Sequence, residues 1–183
     1  PKTIRKDIQK AKDYFPDVVI VYFHFGEEYQ REPNAYQIAI VDSVIKMGAD
    51  IILAGHSHTL QPVRKFKTQG GRLDSGFVAY SLGNFISNQR WRYSDGGVLL
   101  NFSIQKKDEK IYLIDLSFLP IWVYKGIYNG RKRYLILPTT AEQNDSSGLG
   151  FLSEKDKKQM LQSFEDTRNT INKYRSIKEV SGN

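Results

Sequence analysis

Two short apolar runs constrain this chain more than any other feature: VVIVYF at residues 18–23 and IILA at residues 51–54. Each opens onto histidine, His24 directly after the first and His56 and His58 just past the second. Continuous β-branched runs of this length mark strands covered on both faces. Between them, beyond Pro33 and the cap residue Asn34, Ile38, Val41, Val44 and Ile45 recur at helical spacing, and Gly48 stands where a glycine closes a helix. Strand, helix and strand in this order predict two parallel neighbours joined by a crossover. Both histidine turns then lie on one sheet edge, outside the carboxyl ends of the strands, where open α/β sheets bind ligands.

The rest of the chain reads differently. Residues 3–14 carry Ile4, Ile8 and Ala11 among charges, as an amphipathic helix covering a sheet would. PVRKF and FVAYS read as strands around the turn-rich QGGRLDSG, and LGNF as the turn that follows. GGVLLNFSIQ and KIYLIDLSFLPIWVY alternate as an antiparallel pair around KKDEK. Residues 144–150 read as loop, and Ser153 caps a last helix whose stripe holds Met160, Leu161, Phe164, Ile171 and Tyr174. The expectation is an α/β front followed by mainly antiparallel strands and a C-terminal helix.

Composition removes several function classes. The chain has no cysteine, which excludes disulfides, thiolate nucleophiles and cysteine-based zinc sites. No run of eighteen apolar residues and no signal-like start occurs within the 183 residues. The first residue is Pro1, not methionine, so the expectation is a mature form or a piece whose membrane anchor lies upstream. The formal charge is +7, and the basic YKGIYNGRKRY at residues 124–134 is either a solvated face or a patch for an anionic polymer. No helix-turn-helix, zinc-finger spacing or RNP-type aromatic motif accompanies it, so no nucleic acid is expected.

The chemistry is expected at His24, His56 and His58, since neutral imidazole is a good ligand for zinc, iron or manganese. Gly55 is expected to turn the backbone so that His56 and His58 can converge. Histidines packed or exposed without metal are the alternative. Glu28 is either an orienting partner or general acid/base for these imidazoles or, like Glu27, a solvated loop charge. Asn84 either places an amide at the same rim or accepts turn geometry beside Gly83. Asp50 belongs at the opposite edge, and Asp95 before Gly96-Gly97 reads as a turn former. Ser57 and Ser81 lack a G-x-S-x-G elbow, which argues against a serine triad.

At these residues the chain resembles the CapA-type family of bacterial capsule and poly-gamma-glutamate synthesis proteins, related to calcineurin-like metallophosphoesterases. VVIVYFHFGEEY is similar to a strand followed by H-W-G-x-E-Y, MGADIILAGHSHTLQPV to G-A-D-x-V-x-G-H-H-P-H-x-x-Q-P, and VAYSLGNFI is nearly unaltered. Phe25 stands for the usual tryptophan, and AGHSH lacks one histidine and the proline of its motif. The resemblance implies the second half of a metallophosphoesterase-like α/β/β/α sandwich, with residues 1–140 in that domain and 141–183 forming a loop and a C-terminal helix packed on it. It implies up to two divalent ions, Mn, Fe or Zn, held by His24, His56 and His58, with Glu28 and Asn84 as catalytic residues. The family's D-x-H, G-D-x-x-D and N-H segments do not occur before residue 24, so the N-terminal half of the domain is an expected partner, in the same or another chain. The implied role is biosynthesis or export of an anionic envelope polymer, or a metal-dependent phosphoesterase acting on a small or lipid-linked phosphate. Envelope biosynthesis proteins are the expected partners, and the expected place is the extracellular face of the bacterial membrane.

Overall fold

A computed structural model describes residues 2–69, 72–140, 148–174 and 177–180. Its elements run α1 (Lys2–Lys12), β1 (Ile20–His24), α2 (Ala35–Met47), β2 (Ile51–Gly55), β3 (Leu60–Lys67), β4 (Ser75–Leu82), β5 (Gly96–Lys107), β6 (Lys110–Tyr128), β7 (Arg131–Pro138), α3 (Glu154–Ile171) and β8 (Lys178–Glu179). The fold is α/β in front and antiparallel behind. The loop expected over residues 144–150 lies, up to residue 147, outside the described residues.

Strands β1, β2, β4 and β3 form one sheet in that order, with β1–β2 and β2–β4 parallel and β3–β4 antiparallel. Register places His24 beside Gly55, so the two histidine turns share the carboxyl edge. Between β1 and β2 runs α2, started by a capping box in which Asn34 accepts from the Gln37 amide and Gln37 from the Asn34 amide. Gly48, at φ 100°, ends it in the left-handed conformation that favours glycine. Val41, Val44 and Ile45 are buried as expected, whereas Ile38 is exposed and Gln37 and Ile40 complete the buried stripe in its place.

One face of this sheet packs Ile52, Val78 and Tyr80 under Ile8 of α1 and the α2 stripe. The other packs Ile51, Phe77 and Ala79 against Val98, Leu116 and Phe118 of a second sheet, ordered β5-β6-β7 with β8 beside β6. Helix α3 closes one end of the sandwich, with Ile171 in the inter-sheet core and Met160 beside Trp122. Leu161 of α3 and Tyr174 just past its end, both expected on the buried stripe, are exposed, while Ser163, Thr167 and Thr170 fill buried positions.

The first strand corrects the expectation of cover on both faces. Val21 and Phe23 pack under the helices, but Ile20 and Tyr22 are 51% and 66% exposed on the face that the second sheet covers elsewhere. The reason is position: β1 is the end strand of its sheet, and its inner face lies beyond the second sheet's reach.

Candidate functional site

Three imidazoles meet at the carboxyl edge of β1 and β2. His56 Nδ1 lies 3.0 Å from His24 Nε2, the ring centres of this pair are 4.7 Å apart, and the His58 ring is 6.4 Å from that of His56. The sharp turn expected of Gly55 is made instead by the histidines. His56 has φ 113° and His58 φ 57°, in the left-handed region that costs a non-glycine residue about 1–3 kcal/mol. Gly55 itself stays in the strand.

Asn84 fixes the tautomer of His58. Its Nδ2 donates to the Ser94 carbonyl at 2.9 Å, so its Oδ1 is the atom that faces His58 Nδ1 at 3.1 Å. An amide oxygen only accepts, so Nδ1 carries a proton, and in the neutral ring Nε2 is the nitrogen with the lone pair. That Nε2 faces Glu28, whose Oε1 is 3.8 Å away. The turn bearing Asn84 is held by a close approach of backbones. A Cβ at Gly97 would sit 2.7 Å from the Asn84 carbonyl, and Gly83, at φ 73°, bridges to Gly97.

A layer the motifs do not mark supports this rim. The Tyr29 amide donates to the Ser57 carbonyl at 2.6 Å, and the Tyr29 ring stacks on His58 with centres 5.9 Å apart. Buried Gln61 donates to the carbonyls of Gln30 and Glu32 and accepts from Gln37, tying the loop behind Glu28 to α2 and β3. The signal available for this layer was the N-x-x-Q box at Asn34 and Gln37. Glu27 is exposed and accepts from Asn34 Nδ2 at 3.4 Å. Asp50 stands at the far end of β2 and accepts from the Val19 amide; its burial raises its carboxyl above the ordinary value.

Asp95 departs from the expected turn former. It is buried and accepts from Trp122 Nε1 at 2.9 Å, and burial raises its carboxyl. A cleft of about 220 Å³, lined by Arg92, Asp95, Lys155, Lys158, Asp166 and neighbours, lies against α3. None of the five rim residues, His24, Glu28, His56, His58 and Asn84, lines it, and it holds no imidazole.

The donor set suits a borderline divalent ion in part. Two ligands about 2.0–2.1 Å from one ion, at tetrahedral or octahedral angles, stand about 2.9–3.4 Å apart, which is the spacing of the His24–His56 nitrogens. Among the described residues, however, no three His, Cys, Asp or Glu side chains are grouped closely enough to hold an ion by themselves.

Residues 1–89, which contain all five rim residues, match the family described as bacterial capsule synthesis protein PGA_cap. The capsule biosynthesis protein CapA of Bacillus anthracis is 33% identical over 129 residues, covering 69% of this chain and 29% of that protein. The chain belongs to this capsule synthesis family. The PGA biosynthesis protein CapA of Bacillus subtilis is 32% identical over 99 residues, 54% of this chain and 24% of that protein. The matched region is thus less than a third of the length of either relative. Among the described residues, no helix is long and apolar enough to cross a membrane.

Proposed function

We propose that this chain serves the biosynthesis or export of an anionic envelope polymer, at the extracellular face of the membrane, through a divalent-metal site at the histidine rim. The carrying observation is the His24–His56 pair, whose facing nitrogens stand 3.0 Å apart at the ends of two parallel strands. In this reading His24 and His56 bind one ion, and His58, its Nε2 lone pair set by Asn84, binds a second or orients what the first holds. A bound divalent ion polarises a phosphoryl oxygen and lowers the pKa of bound water. Glu28, on the His58 side, is placed to hold a proton at Oε1, and Tyr29 shields that imidazole by stacking on it. The remaining ligands come from outside these residues, from the N-terminal half of the domain. Its supports are the incomplete ligand set and the open inner face of β1.

The second reading is a metal-dependent phosphoesterase acting on a small or lipid-linked phosphate, favoured by the carboxylate beside His58. Calorimetric titration of the 183-residue chain with zinc tests the metal. The expected result is one weakly held ion per chain, lost in His56→Ala and in His24→Ala. Tight binding of two ions by this chain alone would refute the need for a second half. In cells carrying the complete protein, polymer output that survives both substitutions would refute the metal role; loss of polymer together with loss of zinc binding supports it.

A further inference from the structure

The surface between the rim and the β6–β7 hairpin combines exposed apolar side chains with uncompensated positive charge. Residues 84–94 and 121–138 hold six Lys and Arg and no Asp or Glu, which leaves 21 basic against all 20 acidic residues for the rest of the chain. The +7 charge of this protein is therefore concentrated in these two stretches. Arg92 is excluded from the patch, since Asp166 binds it through both oxygens. Among the described residues, no carboxylate pairs with Lys125, Arg131, Lys132 or Arg133.

The two stretches form one surface. Asn88 accepts from Lys125 Nζ and from the Tyr134 hydroxyl, and Arg90 donates to the Lys125 carbonyl. Antiparallel register pairs Lys125 with Tyr134 and Ile127 with Lys132, so these four side chains share one hairpin face, the face that Asn88 meets. Ile127 is 65% exposed there. Between Asn84, held at His58, and Asn88, held at the hairpin, Phe85 and Ile86 are exposed by more than half. Trp91, also half exposed, follows on the same loop.

We infer that this surface docks the protein onto an anionic lipid bilayer, with Phe85, Ile86 and Ile127 entering the headgroup region and Lys125 and Lys132 meeting lipid phosphates. Cations supply long-range attraction to an anionic leaflet, and aromatic and aliphatic side chains supply interfacial burial. A soluble polyanion would use the cations alone and leave three large apolar side chains in water. The inference stands apart from the metal reading, because none of its residues is a proposed ligand.

The test is sedimentation of the 183-residue chain with vesicles of phosphatidylcholine, with and without phosphatidylglycerol. Binding is expected only to the anionic vesicles and falls as salt is raised. Lys132→Glu lowers the partition about tenfold or more, and Ile127→Ser and Phe85→Ser each lower it several-fold. Trp122 is fully buried, so a vesicle-induced blue shift of tryptophan emission reports Trp91 and disappears in Trp91→Phe. Equal partition onto neutral and anionic vesicles would overturn the inference. So would binding that Lys132→Glu weakens, that Ile127→Ser and Phe85→Ser leave unchanged and that soluble polyglutamate displaces, for the surface would then be a polyanion site.

Discussion

His56 and Asp95 each hold a conformation or protonation state that the rest of the chain must sustain. His56 at φ 113° is strained, and glycine adopts that region freely. His56→Gly is expected to raise unfolding free energy by about 1 kcal/mol while abolishing zinc binding, the trade seen when strain serves a site. Denaturant unfolding and metal titration of the same variant check both halves. At Asp95 the folded carboxyl is raised above its ordinary 3.8 by burial, so the folded state holds its proton more tightly than the unfolded chain. Its contribution to stability is fully present below pH 3.8 and is lost as pH rises through the raised value. Asp95→Asn keeps an oxygen for Trp122 Nε1 and removes the titration. The variant should therefore gain on the parent across that window and hold the gain at pH 7, measured by urea unfolding at a series of pH values. A constant difference at every pH would sink this account.

Among the elements, α3 gives the cleanest local test. Ser153 accepts from the Asp156 amide at 3.2 Å while Asp156 accepts from the Ser153 amide at 3.1 Å. Ser153→Ala is expected to cost about 1 kcal/mol, lowering the thermal midpoint by about 2–4 °C, and to leave zinc binding untouched. Elements with a local signal were legible in the sequence. Asn34 and Gly48 bound α2, Ser153 starts α3, and the β1–β2 crossover follows from the two apolar runs. Strand β7 was not recognised, although Asn129-Gly130 is a strong hairpin signal and both residues have positive φ. Its sequence, RKRYLILP, drew attention by charge and not by alternation. The rim was legible as three histidines on one edge, because that needed only strand order. The roles of Tyr29 and Gln61 were not, because each depends on a contact across a long sequence separation.

For the molecule as a whole, the decisive feature is where the sandwich stops. The inter-sheet core runs from β3 across β4 to β2 and gives out at β1, whose Ile20 and Tyr22 continue the apolar face of Ile51 and Leu53 without cover. As an end strand, β1 also presents one backbone edge that is unpaired among the described residues. An open edge beside exposed apolar side chains is a template for pairing with another chain, and a charged residue pointing from it blocks such pairing. Tyr22 is mostly exposed, so lysine at this position removes little packing. Tyr22→Lys should therefore leave the thermal midpoint within about 2 °C of the parent, in keeping with the small effect of surface changes. It should also lower self-association of the 183-residue chain, read by light scattering across a concentration series. In the complete protein the same substitution meets the proposed second half of the domain. There it should destabilise by about 1–3 kcal/mol, because the lysine would be buried without a partner. An equal, negligible effect in both contexts would place the ligands that complete the histidine rim somewhere other than beside β1.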